Sequence, residues 1–201
     1  MQKEQAENEE LEIYRQYQDI IMTYIMELEV RDGEYPVEVL NELRSILTHL
    51  SRYKLQNRPD ELESANRHIK RAILDCYKYL CVSIAESIFK FRKRYAKVDL
   101  KLAENGKFLP KLDELESDAQ RAFEKAKISE IKNESIDIKY SLYEKAYNAY
   151  SEVDKFIEDS REAILFASSH SKKTNRITIA SCGITLFSII VSVILAIVAK
   201  L

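Results

Sequence analysis

The chain has 201 residues, with 31 Lys and Arg against 33 Asp and Glu, a net charge of −2, and only three Gly and three Pro. Residues 1–175 carry −4, because Arg176 and Lys200 hold the two positive charges beyond them, and so acidic a bulk excludes a globally basic nucleic-acid-binding domain. Few breakers beside many Glu, Lys, Leu, Ile and Ala exclude a turn-rich β fold and point to long helices.

Helical periodicity begins early. Leu11, Tyr14, Ile20, Ile21, Ile25, Met26 and Leu28 give a stripe over 5–30. The run ArgAspGlyGluTyrPro at 31–36 stops it with Gly and Pro in turn positions. A second helix is expected over 37–55, its core face set by Leu40, Leu43, Ile46, Leu47, Leu50 and Tyr53. Pro59 then opens a third at its first turn, where a missing N–H costs little. That helix is long: Leu62, Ile69, Ile73, Cys76, Leu80, Ile84, Ile88, Phe91, Tyr95, Val98 and Leu102 mark one face, ending at AsnGlyLys, 105–107. A fourth covers 110–131 and a fifth 136–167, the latter carrying a ladder of Tyr140, Tyr143, Tyr147 and Tyr150 that reads as packing. No strand pattern appears. The expected architecture for 1–167 is an all-α antiparallel helical bundle.

A polar linker, 168–176, leads to 177–199, which holds 23 residues without a charge. As a helix this run is roughly 34 Å long at 1.5 Å per residue, enough for a hydrocarbon core of about 30 Å. The expectation is a single C-terminal transmembrane helix, making the chain a tail-anchored, single-pass membrane protein. Lys172, Lys173 and Arg176 before the span, against Lys200 after it, place the bulk of the chain in the cytoplasm. Ser181, Thr185, Ser188, Ser192 and Ala196 draw a stripe of small residues along the span, the kind that lets copies pack closely into a homo-oligomer. Two further features agree with that placement. The opening ten residues are too polar and acidic for a secretory signal. The odd set Cys76, Cys81 and Cys182 indicates a reducing compartment, with the first two on different faces of one helix and so not bridged to each other.

There is no phosphate-cradling Gly loop and no metal-ligand cluster, so neither metal nor cofactor is expected. On the second helix Glu42, Ser45, His49 and Arg52 share a polar strip, while Arg44 lies 140° from His49, at 100° per residue, with Asn41, Thr48 and Ser51. On the third, His68, Arg71 and Asp75 fall on one face, with Arg67 and Lys78 beside them. The plainest use of these edges is exchange of ion pairs, for example Glu42 with Arg71. The stretches AsnGluLeuArgSerIleLeuThrHisLeuSerArg, 41–52, and GluLeuGluSerAlaAsnArgHisIleLysArgAlaIleLeuAspCysTyrLys, 61–78, resemble the HEPN (higher eukaryotes and prokaryotes nucleotide-binding) helical domains.

That resemblance implies a helical bundle used in prokaryotic defence or stress, and in many members a metal-independent RNase. The implied catalytic pair is Arg44, to hold the strained phosphate, and His49, with four residues between them, to move the proton of the ribose 2′-hydroxyl, with the site completed across a dimer. Ser45 follows the Arg where active members favour Asn, Asp or another strongly polar residue. Further candidate binding residues are Arg67, His68, Arg71 and Asp75, and the basic run Lys90, Arg92, Lys93, Arg94 and Lys97, which suits RNA phosphates or anionic lipid. The reading favoured by the sequence is an interaction or sensor module, with the bilayer, further copies of the chain and a cytoplasmic protein as partners and RNA as the less favoured one. The rivals are a membrane-tethered RNase and an effector that perturbs the membrane by clustering its anchors.

Overall fold

The computed structural model describes residues 2–198, with side chains from Glu4 to Thr174 and at scattered positions between Ile177 and Ser188. Every element in it is helical, and there is no strand among the described residues. In chain order these are α1 (Gln2–Arg15), a π-helical segment (Gln16–Ile21), α2 (Met22–Asp32), α3 (Val37–Gln56), α4 (Asp60–Tyr95), a 3-10 turn (Leu100–Gly106), α5 (Phe108–Ile131), α6 (Ile136–Asp159) and α7 (Arg161–Val198). The expected bundle is present. Its axle is α4, roughly 54 Å long at 1.5 Å per residue, with α3 along one side and α6 along another, while α5 packs on α6.

α1 and α2 form one rod through the π segment. A π turn takes an extra residue into the helix, so eight positions advance the face about as far as seven do in an α-helix. Ile13 and Ile21 thereby share the stripe that continues through Ile25 and Leu28, all four buried. The unbroken helical period expected from the sequence put Leu11, Tyr14 and Met26 on this face; they are 46%, 46% and 54% exposed, and Ile13 takes their place. Gly33 ends α2 at φ 69, a left-handed conformation that only Gly adopts freely.

α4 is buried along most of its length, from Leu62 through Ile88. It stops at Tyr95 rather than running to 105–107. Beyond it the chain turns, so that Leu100 and Ala103 pack with Phe108, Ile164 and Ala167, a return that a straight helix does not permit. The 3-10 turn closes with Glu104, Asn105 and Gly106 all at positive φ.

The fifth expected helix divides at Ser160. Its hydroxyl donates to Glu104 Oε1 at 2.6 Å, tying the break to the 3-10 turn. α7 then runs without interruption through 168–176, so the expected linker is helical. Its first turns are anchored in the bundle by Ile164 and Ala167. Among the described residues no helix is long and apolar enough to cross a membrane. The expected span, 177–199, occupies the far end of α7; Ala199 and the side chains of Ser192 and Ala196 lie outside the described residues. Ser181, Thr185 and Ser188 are exposed, and Thr185 bonds back to the Ser181 carbonyl.

Candidate functional site

α3 and α4 form an antiparallel hairpin turned at Asn57, whose left-handed φ of 56 a short polar side chain tolerates. The hairpin brings together four titratable side chains. His49 Nδ1 lies 2.5 Å from Glu61 Oε2, and His68 Nδ1 lies 2.5 Å from Glu42 Oε2. The pairs cross between helices, with each histidine held by the other helix's glutamate. The two imidazoles stack face to face, centroids 5.1 Å apart and planes 23° from parallel.

A short internal duplication explains this geometry. Residues 42–52 and 61–71 both read Glu-Leu-X-Ser, three residues, His, two residues, Arg. Glu and His stand seven apart in each copy, two helical turns, and so share a face. Both crossed pairs straddle residue 55, so the antiparallel hairpin sets each His of one copy against the Glu of the other. The expected Glu42–Arg71 pair is replaced accordingly by Glu42 with His68. Sequence reasoning missed Glu61, the most buried member, with its side chain 5% exposed. The duplication was the signal that identifies it.

Glu61 is also the electrostatic hub. Arg58 Nη1 approaches one oxygen at 2.8 Å and Arg52 Nη1 the other at 3.9 Å. A carboxylate this buried is tolerable because three cationic or N–H-donating groups surround it. With Nδ1 of each ring given to a carboxylate, Nε2 is the nitrogen left to act, on rings about a fifth exposed. Two carboxylate-oriented imidazoles side by side are chemically able to accept and donate protons. Among the described residues no three His, Cys, Asp or Glu side chains converge to hold a metal ion.

Arg44 is elsewhere. It lines a groove of about 460 Å³ between the first helical rod and α3, with Ile13, Tyr14, Tyr17, Leu43, Ile46, Leu47 and Leu50. The structure therefore does not join Arg44 to His49 within one chain. Leu40 and Leu47, expected in the core, are 44% and 66% exposed, and Leu47 forms part of the groove wall.

The other candidates scatter. Arg67 is exposed and bonds Glu63 and Ser64 on its own helix. Arg71 is exposed on α4. Asp75 pairs with Lys78 at 3.2 Å, yet burial outweighs that cation and lifts its carboxyl above the ordinary range. Within the basic run, Lys90 reaches Glu86, and Arg92 bridges Asp113 and Glu116 to clamp α4 to α5. Arg94 lies over the Tyr95 ring, while Lys93 and Lys97 are exposed.

The tyrosine ladder is packing. Tyr143 and Tyr150 are buried, and Tyr147 joins Tyr24 and Tyr77 in a cluster with centroids 5.2–5.3 Å apart. Burial, reinforced by its hydroxyl neighbours, holds Tyr77 far above the usual phenol range.

Fold and site together define an all-α helical bundle clasped at one hairpin by crossed His–Glu pairs. No protein-family model matches the chain, and it is similar to no curated protein and no solved structure.

Proposed function

We propose that this is a HEPN-like helical bundle anchored to a membrane through 177–199, with the bundle acting on the cytoplasmic side as an interaction or sensor module. The observation that carries the reading is the continuity of α7: one helix is buried in the bundle at Ile164 and Ala167 and proceeds without a break toward the uncharged run. Support for the anchor comes from that run itself, 23 residues without a charged side chain. The Tyr14–Leu47 groove supports the interaction role, since an apolar trough beside an exposed helix face suits an amphipathic partner helix.

The test is fractionation of cells making the full chain. It is expected to sediment with membranes and resist alkaline carbonate, and a chain ending at Asn175 is expected in the supernatant. Full-length protein found in the supernatant overturns the proposal.

The carboxylate-held imidazoles favour a second reading, a metal-independent RNase. In that reading Arg44 reaches His49 only from a second copy. Full-length protein in detergent would then cleave RNA, and His49→Ala would abolish the cleavage; absence of cleavage by the wild type removes this reading.

A further inference from the structure

The cations around the end of α4 are not equivalent. Lys90 and Arg92 are committed to carboxylates, as described above. Lys93, Arg94, Lys97, Lys101 and Lys107 are exposed, and none of them meets a carboxylate within ion-pair distance among the described residues; the same holds for Lys172 and Lys173 on α7. Seven positive side chains thus lie in two segments far apart in sequence.

The fold fixes those segments together. The Asp99 backbone N–H donates to Ser171 Oγ at 3.0 Å, and the 3-10 turn packs along α7. Two acids lie among them, Asp99, which accepts from the Lys101 N–H, and Glu104, which accepts from Ser160, and the two segments together still carry a formal net charge of +5.

Ser171 precedes Ile177 by six residues, about 9 Å along a helix axis. The polar headgroup layer is some 5–8 Å deep on each side of the hydrocarbon. The contact at Ser171 therefore sets Asp99, between the end of α4 and the 3-10 turn, within about one screening length of a membrane that begins at Ile177, whereas the Glu104–Ser160 bond holds the far end of that turn, with Lys107, about 16 Å further back along α7.

We infer that Lys93, Arg94, Lys97, Lys101, Lys172 and Lys173 form a landing face for anionic phospholipid headgroups, which holds the bundle down on the bilayer. This rests on the anchor proposed above. Each cation at such a surface strengthens association by about fivefold, so the face acts cooperatively and in proportion to the anionic lipid. Its role is orientation: a bundle seated on α4's end presents the His49–His68 hairpin, at the opposite end of α4, away from the membrane.

The test uses the full chain with an environment-sensitive fluorophore on Leu102→Cys, beside Lys101, in a Cys182→Ser background. Cys76 and Cys81 are buried and do not compete for the label. The protein is reconstituted into neutral phosphatidylcholine vesicles, or into vesicles with about 30% phosphatidylserine, and vesicle flotation is read alongside emission. The expected result is flotation with both, with a blue shift and brightening only on the anionic vesicles. The shift disappears at about 0.5 M salt, where screening shortens to some 4–5 Å, and is reduced in a Lys93→Gln, Lys97→Gln double variant.

Flotation with both vesicles and identical emission overturns the landing face while sparing the anchor. Flotation with neither overturns the anchor and the landing face with it. A shift produced by added single-stranded RNA, with none from phosphatidylserine, reassigns the face to nucleic acid and overturns the lipid assignment.

Discussion

Glu61 shows what a single side chain contributes to the clasp. Nearly buried, it faces His49, Arg58 and Arg52. Truncation leaves His49 and Arg52 without their acceptor, while Arg58 keeps Asp60, so Glu61→Ala is expected to cost about 2 kcal/mol in chemical denaturation. His49→Ala in the Glu61→Ala background should then cost much less than His49→Ala alone, because the two act as one unit. Equal costs in both backgrounds would show that the pair contributes nothing as a pair. The buried thiols make a second residue-scale prediction. Burial pushes Cys76 and Cys81 from the ordinary 9.0 up to about 12, so neither forms thiolate near neutral pH. A thiol reagent on the native chain should spare both of them. Since the folded state holds these protons more tightly than the unfolded chain, their contribution to stability is complete below about pH 9. It is lost as pH climbs toward 12. The same sign applies to Asp75, whose carboxyl is also raised by burial: its contribution is present in acid and lost as pH rises through its folded value. Asp75→Asn should therefore leave thermal stability at pH 7 unchanged or slightly higher, and a large fall in melting temperature would refute that balance.

At the scale of elements, the π segment is the device that aligns α1 with α2. Deleting Gln18, an exposed residue within it, should convert the rod to continuous α-helix while keeping Ile13 and Ile21 on one face. Inserting one Ala there should turn Ile13 outward by about 100° and lower the melting temperature sharply. Thermal melts followed by circular dichroism separate the two outcomes. This element also marks where the sequence was hard to read. Period and composition located the helices and the turns at Gly33, Asn105–Gly106 and 132–135, because those signals are local. The exposure of Leu11, Leu40 and Leu47 was not legible, since it depends on a one-residue register shift and on which neighbour covers α3. The end of α4 was missed for a similar reason: the apolar stripe continues through Val98 and Leu102, but Leu100 and Ala103 are drawn back against Phe108 by packing remote in sequence. At the candidate site His49 and His68 stood out from the sequence, whereas their carboxylate partners needed the antiparallel pairing of two copies of one short pattern.

For the whole molecule, two core clusters divide the bundle along α4, and Phe123 and Tyr147 pack against both. Among the described residues the last buried side chains are Ile164 and Ala167, which lie well before the uncharged run. A chain ending at Asn175 should accordingly unfold at the same temperature as the full chain in detergent, within a few degrees. A marked loss would mean that residues beyond 175 complete the core. The continuity of α7 has one more consequence. If 177–199 anchors the chain as proposed, a helical stalk fixes heading as well as height: each residue added between Ser171 and Ile177 swivels the bundle by about 100° and raises it by about 1.5 Å. Seven added residues bring the heading back to within about 20° of the original. If neighbouring copies engage one another sideways, their engagement should rise and fall with stalk length at that spacing, as a key works only at certain angles of the lock.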